Sequence, residues 1–192
     1  MLKNLPVHFD DPVFRADALR GIGNTTNRIN LLIERLCVFR NKLDLNPTET
    51  DLNQLLTESL KEMKAFPKVE VVRELRPIPK IMADGESLQI VFTNLLLNAA
   101  DAVGDTGRVT VGTREREGRA VVCVVDDGCG MSESFIKNSL FRPFQTTKKR
   151  GTGIGMFQSK MIVEAHRGNI LVQSETGKGT TFEVSLPFRP YV

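Results

Sequence analysis

The chain has no tryptophan, a single tyrosine, only three cysteines and only two histidines in 192 residues. Cys37, Cys123 and Cys129 are odd in number and widely spaced, so they build neither a disulfide framework nor a metal-ligand pattern. A reducing, cytoplasmic setting follows as the expectation. A long apolar run is also missing. The best stretch, residues 90–103, is interrupted by Asn94, Asn98 and Asp101, which leaves nothing able to span a bilayer. The first residues, Met1 to Pro6, lack the apolar segment of a secretory signal. One-sided charge is absent as well. A formal net charge of +3 argues against nucleic acid or a membrane surface as partner. What remains is an ordinary globular composition, 41% hydrophobic and 26% charged, enough for one well-buried domain and an appendage.

The appendage is expected over residues 1–46. Pro12 suits a first helical turn, and Ile22, Thr25, Ile29, Leu32, Leu36, Phe39 and Leu43 recur at steps of three and four, the seam of a long helix over residues 12–44. Asn46-Pro47 ends it. The second unit, residues 47–192, reads as a helix from Asp51 toward Pro67, then a strand at residues 69–73. A helix capped by Asp84 follows, with Ser87 as competing cap, and runs to about Val103. Strands at 108–114 and 119–125 flank Gly118. Ser132 caps a short helix, and a further helix runs from Phe157 toward Gly168. A last hairpin pairs residues 169–174 with 180–186. Helices and mainly antiparallel strands in separate runs predict an α+β fold, a two-layer α/β sandwich.

Four motifs occur in order. Asn94-Leu95-Leu96-Leu97-Asn98 puts two asparagines on one helix face, with Asp101 close to that stripe and Leu88, Val91, Leu95, Ala99 and Ala102 opposite. Amide oxygens are hard neutral donors that can complete the shell of a phosphate-bound Mg²⁺. Asp126-Asp127-Gly128-Cys129-Gly130 follows an apolar strand. Asp126 can accept from an exocyclic amine such as that of adenine, while Gly128 and Gly130 let the chain turn under a flat ring. Asp127 reads as solvated. Phe141-Arg142-Pro143-Phe144 leads into Thr146-Thr147-Lys148-Lys149-Arg150, a loop with aromatic anchors and a basic run, of which Lys148 is the phosphate candidate. Gly151-Thr152-Gly153-Ile154-Gly155-Met156 then opens onto a helix, where free N–H donors and the positive dipole end suit phosphates. An ATP site is the best reading. His166, at a helix end, suits an imidazolium capping carbonyls, and neither Cys123 nor Cys129 has a base beside it.

Together these motifs resemble the N box, first glycine box, F box and second glycine box of the sensor histidine kinases of two-component systems. Gly177-Lys178-Gly179-Thr180-Thr181-Phe182 is similar to their closing hairpin. The run from Leu140 to Lys148 looks most like the nitrogen-sensing and polysaccharide-linked branch. The resemblance covers residues 48–188. It implies the Bergerat ATP-binding fold shared with gyrase, heat-shock chaperone and mismatch-repair ATPases. It also implies ATP or ADP with Mg²⁺ as cofactors and a response-regulator receiver domain as partner. Residues 12–44 would form part of a dimerisation hairpin that makes a homodimer. The nucleotide would be held by Asn94, Asn98, Asp101, Asp126, Gly128, Gly130, Phe144, Thr146, Thr147, Lys148, Gly151, Thr152, Gly153, Ile154, Gly155, Met156 and Thr181. Asn98 would hold Mg²⁺, and Asn94, Asn98 and Lys148 would be the catalytic residues.

Asn94 stands where the related ATPases carry a water-activating glutamate. An amide cannot serve as that base, which suits phosphoryl transfer to a side chain. Asp101 departs from the lysine many of these kinases carry, leaving phosphate neutralisation to Mg²⁺, Lys148 and the helix start at Gly153 and Gly155. The family's acceptor, a histidine followed by an acidic residue, has no counterpart here, since His8 precedes Phe9 and His166 precedes Arg167. The resemblance therefore implies a kinase core whose acceptor lies upstream of Met1. A stand-alone ATPase or serine-kinase switch of the same fold, and a nucleotide-sensing module without turnover, remain the alternatives.

Overall fold

The computed structural model describes residues 44–104, 106–148 and 151–189. The helix and apolar stripe expected in residues 12–43 lie outside the described residues. From Thr48 onward the chain builds β1 (Thr48–Thr50), α1 (Leu52–Ser59), a 3₁₀ turn (Leu60–Ala65), β2 (Val69–Leu75), β3 (Ile81–Ala83) and α2 (Gly85–Val103). There follow β4 (Gly107–Arg116), β5 (Arg119–Asp126), α3 (Glu133–Asn138), α4 (Gly155–Ala165), β6 (Asn169–Glu175) and β7 (Gly179–Pro187).

Five strands form one sheet in the order β2-β4-β5-β7-β6. Only β2–β4 is parallel, with Val69 opposite Gly107; the other pairs are antiparallel. A parallel neighbour needs a crossover, and β3 with α2 supplies it. β1 and β3 form a separate antiparallel pair, Thr48 opposite Ala83.

Helices cover one face of the sheet. Leu88, Val91, Phe92, Leu95, Leu96, Ala99 and Ala100 of α2 are at most 2% exposed. They pack in one core with Val109, Val111, Val122, Val124, Phe182, Val184 and Leu186 from the strands, Leu52 and Leu56 of α1, and Ile162 and Val163 of α4. Each large side chain so buried contributes about 1.5–3 kcal/mol. This alternation fixes the register, because a slip of one residue would turn the apolar set outward.

The other face is polar in its middle. Glu183 of β7 pairs with Arg114 at 2.6 Å and with Arg116. Half-buried Cys123 lies beside them, and burial pushes its thiol pKa up.

The sequence-level cap at Asp84 is the one used: its carboxylate accepts from the Ser87 amide at 2.9 Å. Ser132 likewise accepts from Phe135 at 3.2 Å.

Candidate functional site

The C-terminal half of α2 carries the asparagine stripe. Asn98 and Asp101, three residues apart, both meet the Lys148 ammonium from the loop before α4. Lys148 Nζ donates to Asn98 Oδ1 at 2.7 Å and to Asp101 Oδ2 at 2.6 Å. The Lys148 and Asp101 side chains are 40% and 44% exposed, so the cluster stands at the surface. Asn94, one turn earlier, is turned to α4 instead. Its amide donates to the Gly155 carbonyl and to the Ser159 hydroxyl, both at 3.4 Å. Ser159 is fully buried, and sequence reasoning passed over it.

Asp126 ends β5 and is 5% exposed. Its Oδ1 accepts the Gly128 amide at 3.0 Å. Burial pushes the carboxyl pKa up; amide hydrogen bonds from Gly128 and Thr180 oppose that shift. The turn beyond it is clamped on both sides. Cys129 N–H donates to the Ala102 carbonyl of α2 at 3.0 Å, and Gly177 N–H donates to the Cys129 carbonyl at 2.8 Å. A Cβ at Gly128 would lie 2.4 Å from the Ala102 carbonyl carbon, so this glycine lets β5's end lie against α2. Asp127 is exposed, as expected, and its Oδ1 also accepts the Arg108 amide at 2.7 Å.

The loop from Phe141 to Gly153 is closed at its base, Phe144 N–H donating to the Gly153 carbonyl at 2.9 Å. Phe144 adopts φ 66°, a conformation non-glycine residues rarely take. Lys160 of α4 stacks 5.1 Å from the Phe141 ring centroid. Within the loop, Thr146 Oγ1 accepts the Lys148 amide at 3.1 Å and Gly151 N–H donates to the Lys148 carbonyl at 3.2 Å. Thr147, Gly151 and Thr152 are exposed. Ile154 is buried and Met156 packs on the core, so these two seat the start of α4. α1, α2 and α3 are each capped by a side chain, from Asp51, Asp84 and Ser132; α4 is not. Its first amides point out of the Gly151–Gly155 turn with the positive dipole end behind them.

Thr181 is half-buried and opposite Val125 and Gln173, on the outer face of the sheet. The hairpin threonine on Asp126's side is Thr180, 5% exposed, with its hydroxyl 2.9 Å from Ser174 Oγ. The alternation of β7 decides this: Thr180, Phe182 and Val184 are buried together. Gly130 makes the turn expected of it, at φ 63°, and packs so closely on β6 that a Cβ there would lie 2.0 Å from the Glu175 carbonyl oxygen. His166 has the structural place expected of it, its ring meeting a carbonyl at the end of α4, though the ring is buried. It is 6% exposed; Nε2 accepts the Asp84 amide at 3.0 Å and Nδ1 meets the Ile162 carbonyl at 2.8 Å, which requires the neutral Nδ1–H ring.

Residues 83–190 match the family model of histidine kinase-, DNA gyrase B- and HSP90-like ATPases. The chain is 32% identical over 173 residues to sporulation kinase E of Bacillus subtilis, across 88% of this chain and 23% of that protein. It is 32% identical over 185 residues to the signal transduction histidine-protein kinase AtoS of Escherichia coli, across 94% of this chain and 30% of that protein. The chain thus spans about a quarter to a third of the length of these curated relatives. A nucleotide-free catalytic domain of the histidine kinase ThkA superposes with a TM-score of 0.67 at 26% identity, covering 76% of this chain and 97% of that one. Full-length ShkA, solved with AMPPNP, shares the fold at a TM-score of 0.76 and 24% identity, covering 92% and 38%. The family match runs from the cap of α2 past the end of β7 and takes in every element that carries the site, so this chain belongs to the histidine kinase-, DNA gyrase B- and HSP90-like ATPase family.

Proposed function

We propose that this chain is the ATP-binding catalytic unit of a sensor histidine kinase. It binds ATP with Mg²⁺ and passes the γ-phosphoryl group to a histidine on a dimerisation hairpin, for relay to a response-regulator receiver domain. The observation that carries this reading is the convergence of Asn98, Asp101 and Lys148 within 2.7 Å of one point on the helix that also packs against the Asp126 turn. The Asp126 carboxylate accepts the adenine amine. Lys148 and the α4 amides take the phosphates, and Asn98 Oδ1 holds Mg²⁺, which when bound neutralises phosphate charge. A histidine nitrogen of the hairpin attacks the γ-phosphorus and ADP leaves. Asn94 offers no base and its amide is engaged with α4, which favours transfer over hydrolysis.

The acceptor is not His166, whose two ring nitrogens are occupied inside the protein. The receiver-domain partner is suggested by ThkA, a histidine kinase solved in complex with the response regulator protein TrrA; that structure shares the fold with a TM-score of 0.73 at 23% identity. The homodimer is proposed through residues 12–44.

The test has two arms. Calorimetry with Mg-ADP should show the parent binding, and Asn98→Ala or Asp126→Asn binding at least about tenfold more weakly. Labelled ATP should transfer label to a separately supplied hairpin protein of a related kinase, with none on His166. Unchanged affinity in both variants overturns the site. Binding without transfer leaves a nucleotide-sensing module.

A further inference from the structure

Without nucleotide phosphates, Asn98 would need a second protein ligand to hold a divalent cation. It offers one neutral oxygen, whereas Mg²⁺ in nucleotide sites is usually held by one or two carboxylates together with phosphate oxygens and water. Asp101 lies one turn further along α2. Its Oδ2 and Asn98 Oδ1 lie 2.6 and 2.7 Å from one point, and a cation already stands there: the Lys148 ammonium. Both partners of that ion pair are about two-fifths exposed, so water can complete a metal's shell.

We propose that Asn98 and Asp101 together form the divalent-cation seat and that Lys148 is its internal competitor. A metal bonded to both oxygens sits about 2 Å from each and cannot share the position with an ammonium group. Metal and ammonium therefore exchange. Without metal, Lys148 compensates the Asp101 charge and ties the middle of the Phe144–Gly153 loop to α2. When a metal with its phosphates arrives, the carboxylate stays compensated and the displaced ammonium lies beside the phosphate oxygens it would bind. The exchange gives Asp101 a role as a metal ligand and explains why an acidic residue is tolerated next to phosphate. It rests on the nucleotide reading above only for the second half of the exchange; the competition itself involves this chain and a metal alone.

The experiment uses the full chain without nucleotide and Mn²⁺ as probe, with free ion counted by electron paramagnetic resonance. Lys148→Met removes the competitor and keeps the length of the side chain. It should bind Mn²⁺ about fivefold more tightly than the parent, the loss of one exposed ion pair with its hydrogen bonds. Asp101→Asn should bind about tenfold more weakly, and adding Lys148→Met to it should restore little. Equal or weaker Mn²⁺ binding in Lys148→Met, or unchanged binding in Asp101→Asn, overturns the proposal; so does an absence of Mn²⁺ binding in both parent and Lys148→Met. Calorimetry of the parent with ADP is read separately. Failure there removes the nucleotide reading while the Mn²⁺ comparison still decides the seat.

Discussion

His166 Nε2 accepts the backbone N–H of Asp84 at 3.0 Å across 82 residues of chain, and so joins the C-terminal end of α4 to the cap of α2. At the other end of α4, Asn94 in the middle of α2 donates to Gly155 and Ser159. α4 is thus pinned to α2 at both of its ends, to the cap of α2 and to its middle. Asn98 lies one turn beyond the second pin, and the uncapped α4 start lies beside it.

His166→Leu removes an acceptor and a donor at once, leaving the half-buried Asp84 amide and the Ile162 carbonyl without the ring. It should lower stability by about 1–3 kcal/mol, read from urea unfolding. His166→Gln keeps one acceptor and one donor and should lose less. Equal midpoints for parent and His166→Leu would show that the pin contributes nothing.

Much of this arrangement is legible from residue order. The caps Asp84 and Ser132, the hairpin around Gly118 and the buried stripe of α2 follow from local chemistry and periodicity. The parallel β2–β4 pair is not legible, because a crossover through α2 leaves no local mark on either strand. β1 and β3 are three residues each, too short for alternation to register. Within the site, the four motifs name most of the residues that meet. Their partners escape: Ser159 and Ser174 carry no pattern of their own and become visible only when helix and hairpin are docked. Thr180 is the legible one of the set, since strand alternation from Phe182 places it inward.

Gly128 and Gly118 separate two reasons for glycine. Gly128→Ala would put its Cβ 2.4 Å from the Ala102 carbonyl carbon, and backbone cannot give way as a side chain can. It should destabilise by about 3 kcal/mol or more and loosen the Asp126 turn from α2. Gly118 turns at φ 69° with open space around it, so Gly118→Ala meets only backbone strain, about 1–2 kcal/mol. Thermal unfolding of both variants checks the order. Equal shifts would mean that the contact with Ala102 is not what Gly128 provides.

Asp126→Asn should move stability and nucleotide binding in opposite directions. Burial raises the folded-state carboxyl pKa above its usual 3.8, so the folded chain holds this proton to higher pH than the unfolded chain does. Stability from this group is therefore fully present below the unfolded value and is lost as pH rises through the folded one. Asparagine has no proton to lose and escapes that loss. The variant's melting temperature should match the parent's at the acid end of the window and exceed it by a constant margin near neutrality. Binding goes the other way. The Gly128 amide already occupies one oxygen of Asp126. In asparagine the remaining position is an NH₂, which cannot accept an adenine amine. Loss of a hydrogen bond to a charged group is about 1.5–3 kcal/mol, or roughly ten- to a hundredfold in affinity for Mg-ADP. Differential scanning calorimetry across the acid-to-neutral range gives the first comparison and titration calorimetry at neutral pH the second. A variant that is less stable at neutral pH would refute the burial cost assigned to this carboxylate, and a variant that binds ADP as the parent does would remove Asp126 from the adenine site.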